Sequence, residues 1–122
     1  MKGLMVFLGG GLGALTRYFM YLIFPKEVYL PYATLVANFF GCFLATVVFT
    51  FFVLKNDMDS IYKLLLITGF CGGLSTLSAL SIELTVFIQS GEFLRAGIYI
   101  LTSLLICVIS VILGLTLVRN YV

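Results

Sequence analysis

The sequence predicts an all-α membrane protein, a single domain of residues 1–122 with four transmembrane helices. Two observations come from composition: 62% of the 122 residues are hydrophobic and only 10% are charged, against about 45–50% and about 25% in soluble domains. A third is the placement of charge, since among seven basic and five acidic residues only Arg17 and Glu83 lie well inside an apolar stretch. So few charges could not cover a water-soluble fold.

Four apolar stretches are long enough to cross a bilayer as helices. A helix rises 1.5 Å per residue, so about 20 residues cross the ~30 Å hydrocarbon layer. The predicted spans are residues 4–24, 30–54, 61–88 and 94–118. Pro25 stops the first span, and Pro31 is tolerated in the first turn of the second. We interpret the first span as a retained helix, because it lacks an evident small-residue cleavage site.

The loops between these spans are short, so consecutive helices are predicted to pack as antiparallel neighbours. An even number of spans places both termini on one side, which then carries Lys2, Lys55, Lys63 and Arg119. The other side carries Lys26 and Arg95. The positive-inside rule therefore favours the termini inside, but by a bias so small that one added charge could reverse it.

Composition also excludes several functions. The net charge of +2 is scattered, whereas nucleic-acid binding requires clustered basic residues, so we expect no nucleic-acid partner. The chain has no His, and its cysteines lack the paired spacing of zinc sites, so we interpret them as packing residues. Because no nucleophile–base pair or phosphate-binding loop is visible, an enzyme is the least favoured class.

The first span combines small residues with a cation. Its Gly9, Gly10, Gly13 and Ala14 form small-xxx-small pairs, which favour close packing against another helix. Arg17 lies within the span, where a cation must reach an interface or a partner. Arg17 fits two roles equally: an anchor that extends to the interface, or an anion attractor at a vestibule.

Single polar residues mark the second and fourth spans. The Asn38 amide needs a partner in an apolar helix. It could make an interhelical hydrogen bond or donate to a passing anion, and the residue alone favours the former. Hydroxyl side chains in the fourth span usually bond their own backbone, and the central Ser110 is the one candidate for more.

The third span is predicted to break near its middle. Paired glycines, Gly72 and Gly73, precede a run of hydroxyl residues, and Glu83 follows. Unwound backbone at membrane depth is tolerated only inside protein or along a cavity. Its carbonyls could bind a cation, and the N–H groups of the resuming half-helix could bind an anion. The alternative is a glycine kink satisfied by nearby hydroxyls.

Three motifs, taken in order, resemble the Fluc (CrcB) family of fluoride channels. They are Gly9-Gly10-x-x-Gly13-Ala14-x-x-Arg17-Tyr18, Thr34-Leu35-x-x-Asn38-x-x-Gly41 and Gly69-Phe70-Cys71-Gly72-Gly73-Leu74-Ser75-Thr76. The resemblance implies a plasma-membrane channel that assembles as an antiparallel dimer among lipid, with two fluoride pores at the subunit interface. It also implies a structural sodium ion on the dimer axis and passive fluoride export that protects the cell from fluoride.

The resemblance assigns roles to particular residues. Backbone carbonyls of Gly72 and Ser75 match those that hold the sodium ion. We place Asn38, Ser110, Ser78 and Thr76 along the fluoride pore, and Arg17 with Glu83 at a vestibule. Fluoride is small and strongly hydrated, so a pore must replace its water with several close donors. A bound sodium ion would add fixed positive charge.

The sequence departs from the family at two positions. Where the family has phenylalanines whose ring edges face fluoride, this chain has Leu77 and Leu80, and leucine has no quadrupole with which to attract an anion. Either the pore conducts without those rings, or this chain is the divergent half of a heterodimer. We favour the heterodimer, because unequal subunits can each be inserted one way.

Two other functions remain open from the sequence. A small multidrug-type proton-coupled exporter also has four helices, but its acidic residue lies in the first helix, whereas Glu83 is the only embedded acid here. A non-conducting scaffold subunit is the other alternative, which the two leucines make harder to dismiss.

Overall fold

The computed structural model describes residues 1–26, 29–57 and 59–121, and within these residues the chain is helical with no strand. Four helices are long and apolar enough to span a membrane. They are α1 (Lys2–Ile23), α2 (Tyr32–Leu54), α3 (Ile61–Gln89) and α4 (Phe93–Tyr121). The prediction of an all-α protein with four membrane-spanning helices is therefore confirmed.

Local sequence explains where these helices end. At Phe24 the backbone turns extended (φ −78°, ψ 139°) after a last bond from its N–H to Met20 O, and Pro25 then has no N–H to continue the helix. At the end of α3, Gly91 has φ +76°, a left-handed conformation that favours glycine. The Glu92 N–H bonds back to Phe87 O at 2.8 Å. This turn sends α4 back across the bundle.

Glycines bring α1 and α3 into backbone contact. A Cβ added at Gly13 would lie 2.1 Å from Phe70 O, and one at Gly9 would lie 2.2 Å from Leu65 O. From the opposite side, a Cβ at Gly73 would lie 2.4 Å from Gly10 O. No side chain fits at these positions, so the α1 glycines serve close helix packing, as their spacing predicts.

Helix α3 is irregular along its length. Leu64–Cys71 is wound as a π-helix, the wider i→i+5 form that is rare in proteins. Gly72–Leu74 is α-helical, and a second α-helical stretch, Leu77–Gln89, completes the span. Between them, Ser75 (φ −73°, ψ 148°) and Thr76 (φ −152°, ψ 122°) are extended.

The interruption therefore differs in detail from the predicted break. The paired glycines stay helical, and Gly73 is needed for the contact with α1. The two residues that leave the helix are Ser75 and Thr76, and the helix axis bends only slightly there. Hydroxyl residues, which compete for backbone hydrogen bonds, are weak helix formers at this point.

The interior of the bundle is small and partly polar. An apolar cluster of Leu35, Phe87, Ala96 and Tyr99 joins α2, α3 and α4. Buried polar side chains come from the same three helices: Thr34, Asn38, Thr76, Ser103 and Ser110. Most large apolar side chains of all four helices instead point outward, as expected for surfaces that face lipid or another subunit.

Candidate functional site

The amide of Asn38 in α2 binds the interruption in α3. Asn38 Oδ1 accepts a hydrogen bond from the Thr76 N–H at 2.6 Å, and Asn38 Nδ2 donates to the Thr76 carbonyl at 3.3 Å. In an unbroken helix the Thr76 N–H would bond to the carbonyl of Gly72. The Gly72 carbonyl therefore loses that partner, and Gly72 is exposed on the surface of the protomer.

A glycine in α2 makes room for the same segment. A Cβ at Gly41 would lie 2.8 Å from Ser75 Cβ and 3.1 Å from Ser75 N. Asn38 and Gly41 are three residues apart, so they share one face of α2. Asn38 thus binds the extended segment of α3, and Gly41 allows that segment to approach α2.

Hydroxyl side chains complete the junction, by which we mean the extended residues Ser75 and Thr76 between the two helical parts of α3. Thr76 caps the half-helix Leu77–Gln89, since its Oγ1 accepts the Ala79 N–H at 3.1 Å. Ser78 Oγ lies 2.9 Å from Thr76 Oγ1, and Ser75 Oγ donates to Cys71 O at 2.9 Å. The positive end of a helix dipole therefore lies at a group of hydroxyls, a setting that favours an anion.

A hydrogen-bonded chain surrounds Glu83. Thr34 Oγ1 donates to Glu83 Oε1 at 2.7 Å, and Tyr99 OH donates to Glu83 Oε2 at 2.5 Å. Tyr21 OH lies 2.7 Å from Thr34 Oγ1 and must be the donor there, because the Thr34 proton is already used. Four helices thus converge on one carboxyl group.

An open cleft of about 360 Å³ gathers several predicted site residues. Arg17 and Glu83, the predicted vestibule pair, line it together with Thr76 and Ser78 from the junction. Arg17 is half-buried. A cation, a carboxyl group and the hydroxyls of Thr76, Ser78 and Tyr21 therefore share one cleft within the apolar spans.

A second cleft, of about 310 Å³, adjoins the first at Glu83. Tyr21 and Glu83 line both clefts, whereas Lys26 and Arg95 line only the second. The Arg95 guanidinium lies 4.3 Å from the centre of the Phe87 ring and bonds to Glu92 at 2.6 Å. The second cleft therefore has cationic walls near the ends of the helices.

Ser110, Leu77 and Leu80 are predicted site residues that lie outside the Arg17 cleft. Ser110 is fully buried in α4 and donates to the Cys107 carbonyl at 2.7 Å. Leu77 is 76% exposed, whereas Leu80 packs against the apolar cluster. The two leucines therefore point to different surroundings within the protomer.

Sequence reasoning missed Thr34 and Tyr99, which donate to Glu83, and Tyr21, which bonds to Thr34. A signal was present, because Tyr21 follows Arg17 by four residues and Thr34 precedes Asn38 by four. Residues at that spacing share a helix face, so each predicted site residue indicated a neighbour. Tyr99 has no predicted site residue four positions away in the sequence, so no spacing pointed to it.

The oxygen atoms at the junction suit a hard monovalent cation. Within the part of the chain that the structure describes, no three His, Cys, Asp or Glu side chains form a metal-binding group. The released Gly72 carbonyl and the nearby backbone of Ser75 are neutral oxygen ligands, which hard cations prefer. These residues therefore fit a sodium ion on chemical grounds.

Fold and site together define a multi-pass helical membrane protein with a polar junction and an open cleft inside its apolar spans. The family model for CrcB-like protein, Camphor Resistance (CrcB), matches residues 4–115. The chain therefore belongs to the CrcB family.

Individual relatives agree with this assignment. Fluoride-specific ion channel FluC 1 of Yersinia pestis is 36% identical over 119 residues, which cover 97% of this chain and 94% of the relative. Fluoride-specific ion channel FluC of Pectobacterium atrosepticum is 40% identical over 103 residues, covering 83% and 80%. The FluC channel of Escherichia coli K12 is 38% identical over 103 residues, covering 84% and 81%.

Proposed function

We propose that this chain is a subunit of a fluoride-selective ion channel that lets fluoride leave the cell passively and so protects it from fluoride toxicity. The observation that carries the proposal is similarity along most of the chain, at 36–40% identity, to relatives named fluoride-specific ion channels. A channel passes ions without chemical change, so the chain is not an enzyme. It acts in the cell membrane, which its four spans cross.

The junction supplies donors suited to a small anion. An Asn amide has two N–H groups, and Asn38 uses one for the Thr76 carbonyl, which leaves the other for fluoride. Thr76 and the exposed Ser78 add hydroxyls, and Arg17 attracts anions into the same cleft. Replacing the water around fluoride requires several such donors at once.

The Ser110 hydroxyl must change its hydrogen bond before it can donate to fluoride. Its hydroxyl proton is donated to Cys107 O, so it offers fluoride no proton in this arrangement. Rotation about one single bond frees that proton. We propose that Ser110 donates to fluoride only after this rotation.

Surface chemistry supports an antiparallel dimer. Small and hydroxyl residues of α3 face outward, namely Thr68, Gly72, Ser78, Ser81 and Thr85. Lipid cannot satisfy exposed polar backbone, and small residues let helices approach closely. A second subunit packed against this face would cover the released Gly72 carbonyl. The nearly balanced positive charges at the two ends of the bundle allow opposite insertion.

A sodium ion between the subunits is the cofactor that we propose. The Gly72 and Ser75 carbonyls would hold it, and it would supply fixed positive charge that offsets the cost of an anion in a low dielectric. Asn38 contributes by binding the Thr76 N–H, because that bond keeps the Gly72 carbonyl out of the helix ladder.

The leucines support a proposal about the second subunit. Leu77 is 76% exposed on the face that we assign to the dimer, yet it has no ring edge to offer fluoride. We therefore favour a heterodimer whose other subunit supplies the phenylalanines. A homodimer that conducts without rings is the alternative.

Fluoride efflux from liposomes tests the proposal. Vesicles contain potassium fluoride or potassium chloride, and valinomycin balances charge while an electrode records the released anion. We expect rapid fluoride efflux and chloride efflux at the protein-free rate when the chain is co-purified with its second subunit. Robust efflux from this chain alone would remove the heterodimer but keep the channel. Equal fluoride and chloride efflux, or none in both preparations, would contradict the channel.

A further inference from the structure

Two thiols from different helices are in contact at the α2–α4 interface. Cys42 Sγ lies 3.7 Å from Cys107 Sγ, and both residues are half-buried free cysteines. They are 65 residues apart in sequence, so only the fold brings them together. The third cysteine, Cys71, is 3% exposed and lies in α3.

The helix backbones are close near this pair. A Cβ added at Gly114 in α4 would lie 3.2 Å from the Phe43 carbonyl in α2 and 3.1 Å from Thr46 Cβ. A disulfide requires sulfur atoms about 2.03–2.05 Å apart. The two Sγ atoms, 3.7 Å apart, must therefore approach by about 1.7 Å, a shift that side-chain rotation and a small helix displacement can supply.

We propose that Cys42 and Cys107 are a redox modification site, oxidised to an intramolecular disulfide that joins α2 to α4. Both S–H bonds break and one S–S bond forms. The two protons and two electrons pass to a membrane-permeant oxidant of the diazene class, whose N=N bond becomes HN–NH. Thiols and disulfide are all uncharged, so neither end state places charge in the apolar bundle.

This disulfide would act on the pore that we propose above, and this consequence rests on that proposed function. Cys42 lies one turn after Asn38 on α2, and the carbonyl of Cys107 accepts the Ser110 hydroxyl. Drawing the two cysteines together therefore shifts both Asn38 and Ser110. Fluoride passage should fall on oxidation and return on reduction.

Thiol counting and flux after diamide treatment test the inference. The chain has three cysteines, so denatured protein should take up three maleimides before oxidation and one, at Cys71, afterwards. Peptide mapping without reductant should join Cys42 to Cys107 within one chain. Cys71→Ser should form the same link, whereas Cys42→Ser and Cys107→Ser should not. In conducting vesicles, wild type and Cys71→Ser should lose most fluoride efflux and regain it with dithiothreitol.

Each result has a distinct meaning. Three free thiols after diamide, or a link that involves Cys71, would overturn the modification site. A Cys42–Cys107 link that leaves efflux unchanged would overturn its effect on conduction. If untreated protein conducts no fluoride, the proposed function fails, while the thiol count still decides whether the site exists.

Discussion

One side chain of α2 pairs with both peptide groups of a single residue in α3. Asn38 Oδ1 accepts the Thr76 N–H at 2.6 Å, and Asn38 Nδ2 donates to the Thr76 carbonyl at 3.3 Å. Backbone groups that leave a helix inside a membrane must find other partners. The interruption in α3 is therefore possible because a residue of another helix replaces its lost bonds.

The stability of Asn38 variants should reflect both bonds. Asn38→Ala leaves the buried Thr76 N–H without its acceptor, and an unsatisfied buried group costs about 1–3 kcal/mol. A protonated Asn38→Asp carboxyl keeps an acceptor for the Thr76 N–H and an O–H donor for its carbonyl, so at low pH we expect a smaller loss. Thermal unfolding in detergent, followed by circular dichroism, measures both. Asn120→Ala, at an exposed position, is the control, and an equal effect there would contradict the prediction.

Two glycines of α1 should respond differently to the same substitution. Gly13→Ala places a methyl 2.1 Å from the Phe70 carbonyl, so α1 and α3 must separate, at a cost of about 1–3 kcal/mol or more. Gly11→Ala meets nothing within 4 Å and should be neutral or slightly stabilising, since Ala favours helix. Size-exclusion profiles and unfolding temperatures compare the two variants. Equal tolerance would argue against the close crossing.

Leu77→Phe and Leu80→Phe should have different effects on stability. Leu80 packs against the apolar cluster, so Leu80→Phe should overfill it and lower stability by about 1–3 kcal/mol. Leu77 is 76% exposed, so Leu77→Phe should change stability by less than about 0.5 kcal/mol. If the heterodimer proposal holds, Leu77→Phe also raises fluoride efflux from the chain reconstituted alone. Unfolding temperature and efflux are measured on the same preparations, and a stability loss at Leu77 alone would contradict the packing.

A proton gradient should not drive transport through this protein. In a passive channel the fluoride gradient alone sets the direction of flow, whereas a small multidrug-type exporter would couple transport to protons at Glu83. We expect fluoride efflux to persist when an uncoupler abolishes the proton gradient, in wild type and in Glu83→Gln alike. Tyr99→Phe is the matched control, since it removes one hydrogen bond to Glu83 without removing the acid. Loss of transport with the uncoupler would revive the exporter.

The sequence was sufficient for the spans but not for the exact place where α3 is interrupted. Apolar length and sparse charge determine that four helices cross the membrane, and glycine spacing on α1 indicated close packing. The pair Gly72 and Gly73 suggests a break at the glycines, yet both stay helical and Gly73 is needed for contact with α1. Whether a glycine interrupts its helix or allows close packing depends on the position of the neighbouring helix. That position is set by tertiary structure, which the sequence pattern does not show.

The polar site was predicted as single residues rather than as contacts. The sequence points to Asn38, Thr76, Ser78, Arg17 and Glu83, because polar groups inside a span need partners. Their pairing could not be foreseen: Asn38 binds backbone of α3, and Glu83 is held by hydroxyls from two other helices. Hydrogen bonds between distant residues depend on helix rotation, which hydropathy does not specify.

Fluoride efflux from vesicles carrying Asn38→Ala, normalised to folded protein, tests the link between the α3 junction and conduction most directly. We predict that fluoride efflux falls close to the protein-free rate, while Asn120→Ala conducts like wild type. A folded Asn38→Ala protein that passes fluoride at the wild-type rate and still excludes chloride would contradict the proposal that this junction forms the pore.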